Sequence, residues 1–415
     1  MQSAESIAPW VDEAMAATPV YDLHTHLYPA NFGPMMLWGI DELLTYHYLI
    51  GETIRATAIP YERFWAMPQL RQANLIWQTL FVEHAPISEA CRGVVTVLNR
   101  LGLDLNAKNL DDYRAYFRDI KPADYIDTVL RISNVKSVVM TNDPLDATER
   151  PIWLKNPERD PRFKAVLRID PLLLGWPGVA DALGGMGYKA RADLGSTSLA
   201  EIRRFLNDWI DRMGALYVAV SLPPTWKYPQ ADVTTKVIDE AILPVCRERN
   251  LPFAMMIGVT RRANPELRLA GDSLAQADLS NLERICAANP KNKFMCTVLA
   301  RENHHALAVA GRLFPNLFVF GCWWYVNNPS LIEEITRMRI ELLGPSFTPQ
   351  HSDARILDQL LYKWDHSRQI IGKVLKDKFA DLAASGWNVT REQVDGTVKG
   401  YLSGNFEQFL SRNSG

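Results

Sequence analysis

Short runs of apolar and β-branched residues recur along the chain, separated by stretches whose apolar positions follow the period of a helix. The runs are "PVYDLHTHL" (19–27), "VKSVVMTND" (135–143), "FKAVLRIDPL" (163–172), "LYVAVSL" (216–222), "PFAMMIGV" (252–259), "KFMCTVLA" (293–300), "LFVFGCWWY" (317–325) and "SFTPQHSD" (346–353). Segments such as "SLAEIRRFLNDWIDRMG" and "SLIEEITRMRIELLG" carry the helical spacing between them. Near-continuous apolar strands alternating with helices imply a parallel sheet buried on both faces. Eight such units favour an α/β fold of the closed (β/α)8 TIM-barrel type over an open, doubly wound sheet. No strand is followed by a Gly-X-Gly-X-X-Gly phosphate turn, which an open nucleotide-binding sheet would carry.

One interval breaks the rhythm. About a hundred residues separate the first two runs, too many for a simple loop. Their content is helical, as in "DELLTYHYLIGETIRA" and "SEACRGVVTVLNRLG". The expected organisation is therefore a barrel formed by residues 1–29 and 126–415, with an α-helical insertion over 30–125 rising from strand 1 and capping the active site.

Composition narrows the class. The chain has 415 residues, 47% of them hydrophobic, and a formal net charge of −2. That balance gives no support for a nucleic-acid or membrane-surface partner, and no apolar stretch approaches the roughly 20 residues a membrane span needs. The acidic start "MQSAESIAPW" lacks the basic and apolar regions of a secretory signal. Five scattered cysteines argue against a disulfide framework and against a thiolate zinc site. They fit a reducing compartment, so a cytoplasmic location is expected.

In a barrel of this type the chemistry collects at the C-terminal ends of the strands. His24 and His26 fall at the end of the first run, and alternation along a strand turns both to one face. At the end of the eighth run His351, Asp353 and Arg355 alternate. Closure would make these two runs neighbours, so that two imidazoles and the Asp353 carboxylate form a three-ligand metal site with positions left open for water or substrate. The competing readings are a chance histidine pair and an Asp353 that caps the helix beginning near Ile356. His351 is either a further ligand or an interior, hydrogen-bonded histidine. His304 and His305 open a helix after the sixth run, one as a cap and the other solvated, unless they reach the top of the barrel.

The stretches "YDLHTHL", "TNDPLD" (141–146), "RIDPLL" (168–173), "GCWWYVNNP" (321–329) and "HSDARILDQLLYKWDHSRQIIGKVL" (351–375) resemble the amidohydrolase superfamily, and within it the uronate (glucuronate) isomerases. The resemblance runs through most of the chain, including "YHYL" in the insertion. It implies aldose–ketose isomerisation of a hexuronate at one divalent metal, zinc first and manganese second. His24, His26 and Asp353 would bind the metal, with Asp353 also a candidate base. Tyr48 would transfer a proton or bind a hydroxyl, and Arg168 and Arg355 would meet the substrate carboxylate or an enediolate. Trp323 and Trp324 would wall the sugar. Each has a structural alternative: Tyr48 as an amphipathic-helix residue, Arg168 paired with Asp170 or Asp143, and the tryptophans as packing. The expected partner is a small sugar acid, with the chain assembled as a homo-oligomer.

Two departures from the family pattern leave a second reaction open. Met256 stands where the family carries a strand 5 histidine, and "VSLPPTWKYP" replaces an Asp-His pair after strand 4. The alternative is a metal-dependent hydrolase or lyase acting on a sugar-acid-like or lactone substrate.

Overall fold

The computed structural model describes residues 4–413. Seven of the eight apolar runs form strands: β1 (Val20–Thr25), β2 (Val135–Asn142), β3 (Phe163–Arg168), β4 (Val218–Leu222), β5 (Phe253–Ile257), β8 (Phe294–Val298) and β9 (Leu317–Val319). They make one parallel sheet in the order β1-β2-β3-β4-β5-β8-β9, so each strand pairs with the next one returned to it by helical crossovers. The two remaining strands, β6 (Val259–Thr260) and β7 (Ser273–Leu274), form a small antiparallel ribbon directly beyond β5. The interiors of β4, β5 and β8 are buried throughout, as strands covered on both faces must be.

The eighth run does not form a strand, which corrects the expectation. This segment meets the chain just beyond β9 through a parallel bridge between Phe320 and Thr348. Farther along, the Asp353 N–H donates to the His24 carbonyl (3.2 Å) and the His26 N–H to the Ala354 carbonyl (2.7 Å). Both edges of the curled sheet are thus joined to one segment. A regular ladder fails there: Pro349 has no N–H to give, and the Gln350 side chain stands in for a backbone carbonyl, its Oε1 accepting from the Cys322 and His351 backbone N–H groups.

Between β1 and β2 the chain is helical, with elements that include Ile40–Leu44, His47–Thr57, Tyr61–Trp65, Gln69–Trp77 and Glu89–Arg100. The buried Asp358 carboxylate ties their start to the C-terminal half, accepting from the Gly39 N–H (2.8 Å) and the Tyr125 hydroxyl. The helix Gln359–Ala384 packs against Ala4–Ala17 and Glu89–Arg100. No described helix is long and apolar enough to cross a membrane. All five cysteines are free and buried.

Candidate metal centre and substrate cleft

β1 ends on an irregularity: its register with β2 shifts between Asp22 and Thr25. Such bulges re-aim side chains near active sites, and beyond this one His24 and His26 converge on Asp353. The Asp353 Oδ1 lies 3.7 Å from His24 Nε2 and 3.4 Å from His26 Nε2. Ligand atoms of all three lie within 4.8 Å of one another.

The proton inventory of this cluster tests whether it fits a cation. Thr141, at the end of β2, donates its only hydroxyl proton to the Thr25 carbonyl (3.0 Å). Its oxygen must then accept from His26 Nδ1, 2.7 Å away. That assignment, made from the hydrogen bonds, leaves a lone pair on His26 Nε2 facing a carboxylate oxygen. Burial, joined by the positive charge of Arg355, lowers the His26 pKa to about 4 against the opposing pull of Asp353, so the ring is neutral at pH 7. Burial holds His24 neutral too, with the neighbouring His351 as a further cause. Burial alone would raise the Asp353 pKa, but the nearby Lys363 is among the groups that oppose it and keep the carboxylate ionised. His24 Nε2 and Asp353 Oδ1 have no hydrogen-bond partner among the described residues. Two neutral imidazoles and a carboxylate pointing acceptors at one another are short of a positive charge, and a divalent ion supplies it. The residues fit the metal.

These side chains open into a cleft of about 550 Å³, including its mouth. Arg168, at the end of β3, lines it while held in a bidentate pair with Asp170 (2.9 Å for both bonds). Arg355 lines it with no hydrogen bond or ion pair to its guanidinium among the described residues. Trp323 and Trp324 form part of the wall, and the buried Trp324 indole N–H has no partner among the described residues. Trp324 and Asp353 both take left-handed backbone conformations, at φ of 49° and 51°, which cost about 1–3 kcal/mol where the surroundings enforce them.

Three sequence readings change. Tyr48 does not line the cleft; its neighbours Tyr46 and His47 do, and the Tyr48 ring packs against both, with centroids 5.1 and 4.4 Å away. His351 is fully buried, but neither ring nitrogen has a partner among the described residues, and it stands outside the three-residue cluster. Neither His304 nor His305 caps the helix His304–Leu313, because His304 is buried and its Nδ1 accepts from Arg339 (3.0 Å). Met256, on β5, lines the cleft and offers no ligand for a hard cation.

Sequence reasoning missed Thr141, Arg261 and Asp272. Arg261 and Asp272 line the cleft beyond β5, paired at 2.6 Å. The rule that sent attention to the ends of strands 1 and 8 applies equally to "VTRRAN" after strand 5 and to Thr141 after strand 2.

A uronate isomerase from Bacillus halodurans has the same fold at a TM-score of 0.97; the sequences are 49% identical, over 100% of this chain and 98% of that one. This chain belongs to the uronate isomerase family. A uronate isomerase from Thermotoga maritima (16% identity, 98% of this chain and 97% of that one) and a glucuronate isomerase from Caulobacter crescentus (13%, 98% and 94%) share the fold, each at a TM-score of 0.79. No protein-family model and no curated protein matches the chain. Within the family, the cluster His24–His26–Asp353 could hold a metal.

Proposed function

We propose that this protein interconverts the aldose and ketose forms of a hexuronate by proton transfer through an enediolate. The observation that carries the reading is the likeness to the Bacillus halodurans uronate isomerase, 49% identical across essentially both whole chains. The architecture we assign is a (β/α)8 barrel of residues 1–29 and 126–415, with residues 346–354 in the eighth position. Residues 30–125 are its capping insertion.

His24, His26 and Asp353 hold one divalent ion, zinc or manganese, which when bound polarises substrate oxygens as a Lewis acid. Thr141 fixes the His26 tautomer that leaves Nε2 free. Asp353, ionised at neutral pH, takes and returns a hydroxyl proton. Arg355 meets the substrate carboxylate or the charge of the enediolate, because its five donors are uncommitted. Arg168 adds a fixed positive charge on the same side, oriented by Asp170. The aromatic turn Tyr46–His47–Tyr48 supplies hydroxyl contacts or a proton-transfer group, with Tyr48 set behind the two residues that line the cleft. Trp323 and Trp324 exclude water from one side of the sugar.

The test is incubation with glucuronate and with galacturonate in deuterated water. Ketose should form, with label appearing at carbon 2 on return to the aldose. No exchange with either sugar, together with hydrolysis of a sugar lactone, would replace the isomerase reading with the hydrolase one.

A further inference from the structure

Asp353 reaches the two imidazoles from a left-handed backbone, and the peptide linking Ser352 to Asp353 sets that conformation. Both ends of this peptide are fastened. Its N–H donates to the His24 carbonyl (3.2 Å). Its carbonyl, that of Ser352, accepts from Lys363 Nζ (2.5 Å) and from Asn327 Nδ2 (3.1 Å). The preceding peptide is fastened as well, because the Ser352 N–H donates to Asp22 Oδ1 (3.0 Å). The second oxygen of Asp22 accepts from Trp364 Nε1 (2.8 Å). Asp22 is 0% exposed, Trp364 2% and Lys363 5%.

Two opposite charges are thus buried on either side of one residue, the carboxylate at its N–H and the ammonium at its C=O. Burying such groups is costly unless hydrogen bonds satisfy them, and here those bonds converge on Ser352. A rotation of the Ser352–Asp353 peptide would turn its N–H toward the ammonium and its carbonyl toward that of His24, so both ends oppose it. We propose that Asp22, Lys363 and Trp364 are positioning residues: a buried, charged clamp on Ser352 that holds Asp353 left-handed and so sets its carboxylate against His24 and His26. Strand β1 and the residue that follows it then supply both histidines and, two residues before the first of them, the acid that places their partner. The inference rests on the reading of His24, His26 and Asp353 as metal ligands.

The experiment is zinc and manganese titration of the metal-stripped full chain by calorimetry, in wild type, Lys363→Met, Asp22→Asn and a control, Lys293→Met. Lys293 is 3% exposed and likewise donates to backbone carbonyls, those of Leu410 (2.8 Å) and Arg412 (3.1 Å), at the far end of the strands. Lys363→Met and Asp22→Asn should bind metal about 10–100-fold more weakly, the usual consequence of losing a group that orients ligands. Their kcat should fall while KM stays within a few-fold, and Lys363→Arg, which keeps a donor, should recover part of the loss. Lys293→Met should lower the melting temperature and leave metal affinity unchanged. Wild-type affinity in both site variants would overturn the clamp, as would equal weakening by the control. Should Lys363→Met not fold, Asp22→Asn, which preserves volume, decides. If wild type itself takes up no metal, the ligand reading fails. The clamp is then judged by crystal structures of the variants, where a left-handed Asp353 would overturn it.

Discussion

On the wall of the cleft made by β1 and residues 347–354, the functional side chains stand on buried backbone. His24, Thr141, Ser352 and Asp353 are all less than a tenth exposed. On the wall beyond β5, Arg261 is 52% exposed in its side chain, Leu269 is 56% exposed, and the loop between β6 and β7 includes Arg262 and Arg268 at positive φ. That loop is held from outside, by the Trp65 indole N–H on the Glu266 carbonyl (2.7 Å) and by Arg268 over the Trp65 ring (4.2 Å). The first wall is suited to fixing a cation and a proton-transfer group within tenths of an ångström. The second is suited to contacts that decide which sugar acid binds. The contrast predicts that damage to the first wall appears in kcat and metal affinity, and damage to the second in KM.

The largest effect should come from Asp353→Asn. It keeps the shape but removes the proposed base and the proposed ligand charge, and general acid–base groups contribute about 10²–10⁴-fold. Ketose formation should fall by that factor, and metal titration should show binding weakened or gone. An Asp353→Asn enzyme with wild-type turnover would remove the distinction between the walls.

Acid should also act first on the buried wall. Burial lowers the His351 pKa to about 4 in the folded chain, against about 6.5 when unfolded. The unfolded state therefore binds the extra proton between these values. Stability from this group is complete above about pH 6.5 and is lost as pH falls toward 4. The loss from pH 7 to pH 5 is about 2 kcal/mol at 1.36 kcal/mol per unit. In the metal-free protein, His351→Asn should start less stable and lose about that much less than wild type over the same pH step, measured by urea unfolding. An identical pH dependence in both proteins would show that His351 is not the group responsible.

Arg261→Ala tests the second wall. If the guanidinium contributes a contact to the substrate, KM for the hexuronate should rise about tenfold, equivalent to about 1.4 kcal/mol or one charge-assisted hydrogen bond, with kcat within a few-fold. A collapse of kcat instead would place Arg261 among the catalytic groups.

The buried wall was also the legible one. Alternation placed His24 and His26 on one face, and the order of strands placed Asp353 beside them across more than 320 residues, because parallel topology is written in the periodicity of the chain. Seven of the eight runs form strands as the pattern implies. The eighth, read as a strand too, does not form one, since its pairing depends on the Gln350 side chain standing in for backbone, which no periodicity encodes. Tyr48 followed from the resemblance, and the sequence could not show that Tyr46 and His47 line the cleft instead, because the face these helices turn toward it is set by packing between distant elements. The contacts of Asp22 and Lys363 with Ser352 left no mark, because Asp22 lies 330 positions from Ser352 and a lysine in a helix reads as solvated.

The smallest expected effect concerns how the second wall is held. Trp65→Phe removes the N–H donated to Glu266 and keeps a ring beneath Arg268, so it deletes one hydrogen bond worth about 1 kcal/mol. The loop retains the β6–β7 ribbon and the anchoring of its ends by Asp272, which accepts from Arg261 and from the Arg262 N–H. Part of the lost bond should therefore appear as loop freedom rather than as weaker substrate binding, and KM should rise only about two- to threefold with kcat and metal affinity unchanged. An unchanged KM would mean that the ribbon and Asp272 suffice to place Arg261, making the contact with the helix Tyr61–Trp65 a matter of stability alone. A rise as large as that of Arg261→Ala would mean the reverse: the helix Tyr61–Trp65, more than the ribbon next to the arginine, determines where the second wall stands.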